Sequence, residues 1–241
     1  MKHIIITIKP KEKLIMPFAH FEAMQGLVYK LMSFDRGLST AVHDKKEGAQ
    51  AAIKLFTFSD LMGRYTIENG KRVYAGEFDF EIRAADDILI DTIEDRLKKD
   101  PRLNIRGYSC EAVGFETGSC GFTTGAMVFK MNTPITVYRT EEDGFIHYFT
   151  PDEPEFAELV ANNLKRKYRE VFGREYEGEL HFDCLWKNEK SRCITKYKGM
   201  YIAGWRGNYL LGADADMINT AYYCGIGGKS SQGFGFAMIG E

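Results

Sequence analysis

No run of this chain is apolar for long enough to cross a membrane as a helix. The opening residues, MKHIIITIKPKEK, place one Lys before a short apolar stretch and basic residues after it. That pattern fits a first strand and not a signal peptide. No two cysteines are spaced C-x-x-C, and their number is odd: Cys110, Cys120, Cys184, Cys193 and Cys224. In a chain of 241 residues this argues against a disulfide framework or a zinc site, and for a reducing cytoplasm. An excess of one charge is missing too. The net charge is −2, so a polyanion would have to find a local basic patch. No low-complexity linker divides the chain, and its length suits one large domain or two small ones packed together.

What is present falls into a repeating order. Residues 3–8 are rich in β-formers. Residues 21–33 carry a helical stripe of Phe21, Met24, Leu27, Val28, Leu31 and Met32. Residues 53–59 read as a strand, and residues 76–84 alternate strictly, with Phe78, Phe80 and Ile82 opposite Asp79, Glu81 and Arg83. Residues 86–99 read as a helix, acidic early and basic late. Residues 103–116 read as one strand. The order then restarts: an extended segment over 126–139 broken at Pro134, a helix over 152–172, strands over 179–186 and 194–207, a helix over 214–224, and a last strand over 233–239. Each half is β-α-β-β-α-β, the ferredoxin-like order. The expected fold is α+β, two tandem ferredoxin-like domains, 1–120 and 121–241, divided at the aperiodic Gly118-Ser119-Cys120-Gly121.

The chain closes on GIGGKSSQGFGFAMIGE. A dinucleotide fingerprint or a P-loop needs strand, glycine loop, then helix, so that phosphate meets a helix N-terminus. Here the order is helix, loop, strand, which excludes both. Residues 233–239 look like an RNP1 strand, but the basic residue that motif needs is replaced by Gln232 and the strand is the last one. The remaining pattern is Gly225-x-Gly227, five residues, then Gly233-x-Gly235, with apolar Ile226 and Phe234 between the glycines and Lys229 inside. A tight turn packing helix onto strand explains it as well as a ligand does.

Other segments narrow the choice. The glycine pattern resembles the repeat-associated RNA-binding (RAMP) superfamily. Residues 20–29, HFEAMQGLVY, resemble the first helix of the endoribonuclease family that processes CRISPR RNA; residues 53–59, IKLFTFS, resemble its second strand; Asn132 to Val137 and Gly204-Trp205 fit in order. The resemblance runs from about residue 3 to 239. It implies cleavage in the repeats of a precursor transcript, without metal or cofactor. The ribose 2′-hydroxyl attacks the adjacent phosphorus, leaving a 2′,3′-cyclic phosphate and a 5′-hydroxyl. It implies repeat RNA as partner, and leaves open other CRISPR-associated proteins of a surveillance complex and a homodimer.

The resemblance assigns catalysis to His43, in the polar stretch after the first helix, to Tyr29 at the edge of the helical stripe, and to Lys54 at the start of a strand. From residue type alone, His43 reads as a solvated loop His, Tyr29 as a half-buried helix aromatic and Lys54 as an exposed strand Lys. An imidazole, a hydroxyl and a cation are what the chemistry requires. The sequence leaves the division of acid and base between His43 and Tyr29 open. His20 is a rival at a helix entry; His147 and His181 read as structural. RNA contacts are expected from the loop, at Gly225, Gly227, Gly228, Lys229, Ser230, Gly233 and Gly235, and from Lys187, Lys190, Arg192, Lys196 and Lys198 in a basic hairpin. Such a hairpin also serves to protect sheet edges. The run Lys165-Arg166-Lys167 with Arg169 reads as the solvated face of a helix. A non-catalytic RAMP subunit that only coats CRISPR RNA and a general single-strand RNA-binding module are the alternatives.

Overall fold

The structure is a computed structural model that describes residues 1–33 and 54–240. The first sheet is built on β1 (Lys2–Pro10), β2 (Phe56–Phe58), β3 (Phe78–Ala84) and β4 (Tyr108–Gly118), in the antiparallel order β2-β3-β1-β4. The second uses β5 (Ala126–Met131), β6 (His181–Trp186), β7 (Asn208–Gly212) and β8 (Ala237–Ile239), in the order β6-β7-β5-β8. Both orders are ferredoxin-like, and the two sheets stand in tandem along the chain. Helices α1 (Phe21–Met32) and α2 (Asp87–Lys99) belong to the first sheet; α3 (Pro154–Phe172) and α4 (Ala215–Cys224) belong to the second.

Local sequence explains the helix limits. Asp86 caps α2 by accepting from the Ile88 N–H at 3.0 Å, and Asp214 caps α4 by accepting from Met217 N–H at 2.9 Å. Pro154 opens α3, where its missing N–H is harmless, and Gly173 closes it at φ +69°. The stripes expected from periodicity are the buried ones. Met24, Leu27, Val28 and Leu31 of α1 pack with Leu89, Ile90, Ile93 and Leu97 of α2 over Ile4, Ile6 and Ile8 of β1. Among the described residues no helix is long and apolar enough to cross a membrane. All five cysteines are free thiols.

Four expectations are corrected. Residues 103–116 are not one strand but the hairpin Arg102–Ile105 and β4, turned at Arg106-Gly107 with both φ positive. Residues 194–207 are not the third strand of the second sheet. That strand is β7, which begins at Asn208, and the earlier residues form a separate hairpin, Arg192–Tyr197 with Met200–Trp205. The extended segment 126–139 is β5, then a single bridge of Ile135 to Trp205, then the start of a separate strand, Tyr138–Thr140, which pairs with Ile146–Tyr148. The last strand is only Ala237–Ile239, since Gly233 to Phe236 belong to the preceding loop. A small sheet of Leu14–Met16, Lys71–Tyr74 and Thr66–Glu68 was not foreseen.

The alternation in β3 has an outcome the pattern alone does not give. Phe78, Phe80 and Ile82 face the first core, as expected, but Glu81 and Arg83 on the polar face are buried as well. The second half covers them, with α4 packed on β2 and β3. Arg83, 1% exposed, donates to Glu81 Oε1 at 2.6 Å and to the Ala237 carbonyl at 2.6 Å. Its guanidinium carbon lies 3.6 Å from the ring centre of Tyr222 and 3.9 Å from that of Phe236. A second buried node also joins the halves. Asp60 receives Arg72 at 2.8 Å and Arg206 of the second half at 3.0 Å, and His20 Nε2 stands 2.8 Å from it. Burial alone would raise the Asp60 carboxyl, but His20, Arg72 and Arg206 together hold it well below the usual carboxylate range.

Replacing Arg83 with Met leaves Glu81 buried without its cation. We expect a loss of about 3–5 kcal/mol in urea unfolding. The double variant with Glu81→Gln recovers part of it, because no uncompensated charge remains.

Candidate functional site

The two halves enclose a cleft of about 590 Å³. Tyr29 enters it from the last turns of α1, and Lys54 from the chain just before β2. The Lys54 ammonium donates to the Tyr29 hydroxyl and lies 4.6 Å from the centre of its ring. Phe56 meets the Tyr29 ring edge-on at 6.3 Å. Partial burial raises the Tyr29 hydroxyl and lowers the Lys54 ammonium from their ordinary pKa values. A hydroxyl that accepts from an ammonium directs its own proton elsewhere. Tyr29 is therefore set up as a donor, and its raised pKa keeps it protonated at neutral pH.

The opposite wall is the glycine-rich loop, with Gly227, Lys229, Ser230, Ser231 and Gln232. Lys229 lies 4.5 Å from the ring centre of Tyr138, which puts a cation and an aromatic face side by side. The glycines are there for fit. A Cβ on Gly235 would lie 2.0 Å from the Ile226 carbonyl oxygen, and one on Gly233 would lie 2.9 Å from Phe21 and Phe58 of the first half. Gly225, Gly227, Gly233 and Gly235 are all buried, whereas Gly228 and Lys229 reach the surface. Nor are the loop's amides all open to a ligand. Ile226 N–H donates to Gly235 O, Gly228 N–H to Thr136 O and Gly235 N–H to Pro134 O, so much of the loop's backbone ties the loop to itself and to the segment around Ile135.

Lys167 corrects another reading. It is not on a solvated face but 3% exposed beneath the loop. Its ammonium donates to the Gly225 carbonyl at 2.7 Å, the Gly227 carbonyl at 2.9 Å and Ser230 Oγ at 2.8 Å. Burial lowers its pKa to about 7, with Arg166 adding to the effect and Cys224 opposing it. Arg166 lines the cleft, and Arg169 pairs with Glu175 at 3.0 Å.

The basic hairpin leans on α1. Tyr197 and Ile202 pack with Phe21 and Phe234, and the Tyr197 hydroxyl donates to Gln25 Oε1. Gln25 also donates from Nε2 to the Ser231 carbonyl at 2.6 Å, so one α1 side chain holds both the hairpin and the loop. The hairpin turns at Lys198-Gly199, both with positive φ, and the Lys198 N–H donates to Glu22 at 3.2 Å. Lys198 and Met200 line the cleft. Arg192, Ile194, Lys196 and Tyr201 are exposed along the hairpin, and Lys190 is exposed at its base.

The structure thus brings Tyr29, Lys54, Lys198, Gly227, Lys229 and Ser230 into one cleft. Lys187, Lys190, Arg192 and Lys196 do not line it, and Lys187 is engaged with Asp152. His43 lies outside the described residues. His20 is 1% exposed and held in the Asp60 node, with Nδ1 3.0 Å from the Phe18 carbonyl, which removes it as a cleft residue. His147 pairs with Glu153 at 2.9 Å and His181 is exposed on β6. Sequence reasoning missed Gln25, Asn163, Arg166 and Lys167. A signal existed for Lys167, because Val160, Leu164, Lys167 and Tyr168 share one apolar stripe of α3.

Two ferredoxin-like sheets closed over a basic cleft define the class, the tandem ferredoxin-like proteins. Residues 116–239 match the family described as "CRISPR associated protein Cas6, C-terminal", and the chain belongs to that family. A CRISPR-associated endoribonuclease Cas6 1 of Methanocaldococcus jannaschii is 23% identical over 230 residues, covering 93% of this chain and 87% of its own length. Among solved structures, a CRISPR associated protein Cas6 has a TM-score of 0.81 at 21% identity, covering 100% of this chain and 99% of that one. A RAMP protein described as binding different RNA substrates has a TM-score of 0.85 at 17% identity, with both chains covered in full.

Gly235→Ala must strain a φ of +73° and displace the Ile226 carbonyl. We expect it to cost about 3 kcal/mol in thermal or urea unfolding. Gly228→Ala, whose nearest obstacle is 3.3 Å away, costs clearly less.

Proposed function

We propose that the chain is an endoribonuclease that cuts CRISPR repeat RNA in precursor transcripts, and that it needs no metal ion to do so. Family membership and the named relative support the substrate and the reaction. The observation that carries the reading is the meeting of Tyr29 and Lys54 in a cleft whose far wall is Lys229 and its loop. A phosphate between those walls has a cation on each side and a hydroxyl donor beside it.

The step balances with side chains alone. His43 takes the proton from the ribose 2′-hydroxyl, and the 2′-oxygen bonds to phosphorus. The bond from phosphorus to the 5′-oxygen of the next nucleotide breaks, and Tyr29 supplies the proton to that oxygen. Lys54 offsets the negative charge of the phosphorane. Tyr29 takes the acid role because its raised pKa keeps the hydroxyl protonated and its oxygen already accepts from Lys54. Lys229 and Lys198 meet the RNA in the cleft, while the buried glycines shape the loop. Arg192, Lys190 and Lys196 guide RNA that extends past it; Lys187 is held by Asp152. In this reading residues 1–120 carry the catalytic groups and residues 121–241 the grip. A reducing cytoplasm, where the transcript is made, suits five free thiols. Other CRISPR-associated proteins and a second copy of the chain are further partners of this reading, separated by the measured mass with and without product RNA.

Synthetic repeat RNA in EDTA should be cut by the wild type to a 2′,3′-cyclic phosphate and a 5′-hydroxyl. His43→Ala and Tyr29→Phe should each lose about 10²–10⁴ in single-turnover rate with binding retained. RNA with 2′-deoxy at the scissile nucleotide should bind and stay intact; cutting of that RNA would falsify the transesterification. Bound RNA with no product from the wild type would point to a non-catalytic RAMP subunit.

The lowered pKa of Lys54 predicts a pH effect. Its charge is lost, and the rate falls, below the pH at which an ordinary lysine titrates. Lys54→Arg keeps its charge, so its alkaline limb should move upward in a pH–rate profile. An unmoved limb would exclude Lys54 as the titrating cation.

A further inference from the structure

The three acceptors around Lys167 make an unusual site for a cation. The Gly225 and Gly227 carbonyls and Ser230 Oγ each take one proton from it, and an ammonium has three to give. Among the described residues no carboxylate forms an ion pair with it. The titratable groups that face it are Arg166 on its own helix, which is like-charged, and the buried Cys224 thiol of α4, which burial pushes up to about 12. Lys229 follows on the loop itself. The charge is therefore held by dipoles in a place where water is excluded, which is costly unless an anion approaches.

We infer that Lys167 is a positioning residue for RNA. As an ammonium it holds the underside of the glycine-rich loop, so that Lys229 is presented to an RNA phosphate, and that phosphate supplies the negative charge which the buried ammonium lacks. This rests on the reading of the cleft as the repeat-RNA site. Phosphate binding and Lys167 protonation are then linked, and RNA binding near and above neutral pH takes up a proton at Lys167. A neutral Lys167 has two protons for the two carbonyls and must accept from the Ser230 hydroxyl. Losing the proton therefore turns Ser230 around within the loop that faces the cleft.

The sign of the stability effect is opposite to that of the affinity effect. The folded-state pKa of Lys167 lies near 7, below the ordinary lysine value. Between those values the unfolded chain binds more protons, so stability attributable to Lys167 rises with pH. RNA affinity falls over the same window. A lysine that merely supports the fold would change stability over this window and leave RNA affinity flat.

The test uses the full chain in a His43→Ala background, which stops cleavage and removes that imidazole from the proton count. Calorimetry with synthetic repeat RNA, in buffers of different ionisation enthalpy, measures proton uptake. We expect uptake slightly above neutral pH that is lost in Lys167→Met, together with roughly tenfold weaker binding in that variant. Ser230→Ala, which removes one of the ammonium's three acceptors, should move the uptake to lower pH and serves if Lys167→Met does not fold; uptake unmoved in that variant also overturns the inference. With His43 restored, Lys167→Met should raise KM far more than it lowers kcat. Absence of proton uptake in the Lys167-containing protein, or affinity for RNA that is flat across the window, overturns the inference. Absence of RNA binding by the His43→Ala protein at every pH overturns the reading of the cleft instead.

Discussion

Only a hydrogen atom fits between Gly233 and the rings of Phe21 and Phe58. That close approach sets the distance between the two halves at the cleft. A side chain there would push the loop away from α1, and with it Lys229 away from Tyr29 and Lys54. Gln25 fixes the same distance by hydrogen bonds, since it touches both Ser231 and Tyr197. Gly225 adds a third contact, with a Cβ position 2.9 Å from Thr57 of β2. The site is thus a product of packing between two sheets, neither of which holds it alone.

Three buried polar groups sit along that join, and each is satisfied differently. Arg83 has a carboxylate, a carbonyl and two aromatic faces. Asp60 has two guanidiniums and an imidazole from both halves. Lys167 has only carbonyls and a hydroxyl. In the first two, opposite charges meet directly, although Nε of Arg72 and of Arg206 in the Asp60 node is buried without a hydrogen bond. Lys167 lacks a counter-charge, and it is the one that lies against the cleft.

Much of this was legible in the sequence. The helical stripes, the strict alternation of β3 and the order of elements follow from periodicity, and they lead to the tandem ferredoxin-like fold. The glycine spacing marked the loop, and Tyr29 and Lys54 were marked by resemblance. What was not legible came from long-range partners. Arg106-Gly107 turns a hairpin without the usual Asn-Gly signal, so two strands read as one. The strand β7 was hidden because the hairpin before it has the stronger β pattern. Lys167 was grouped with its charged neighbours although its position on α3 is that of Leu164 and Tyr168. His20 was a rival candidate by residue type, and only its burial against Asp60 removes it from the cleft.

The burial of Glu81 and Arg83 bears on how nucleic acid can be met at all. A solitary domain of this topology can lay bases flat across the open face of its sheet, on aromatic side chains. Here that face of β3 is occupied by α4, Phe236 and Ala237 of the other half. The platform has become a seam between two modules. What is left to a bound strand on this side of the molecule is a slot seen edge-on, walled by one module's helix and the other's loop, so its path is set by the spacing of those walls.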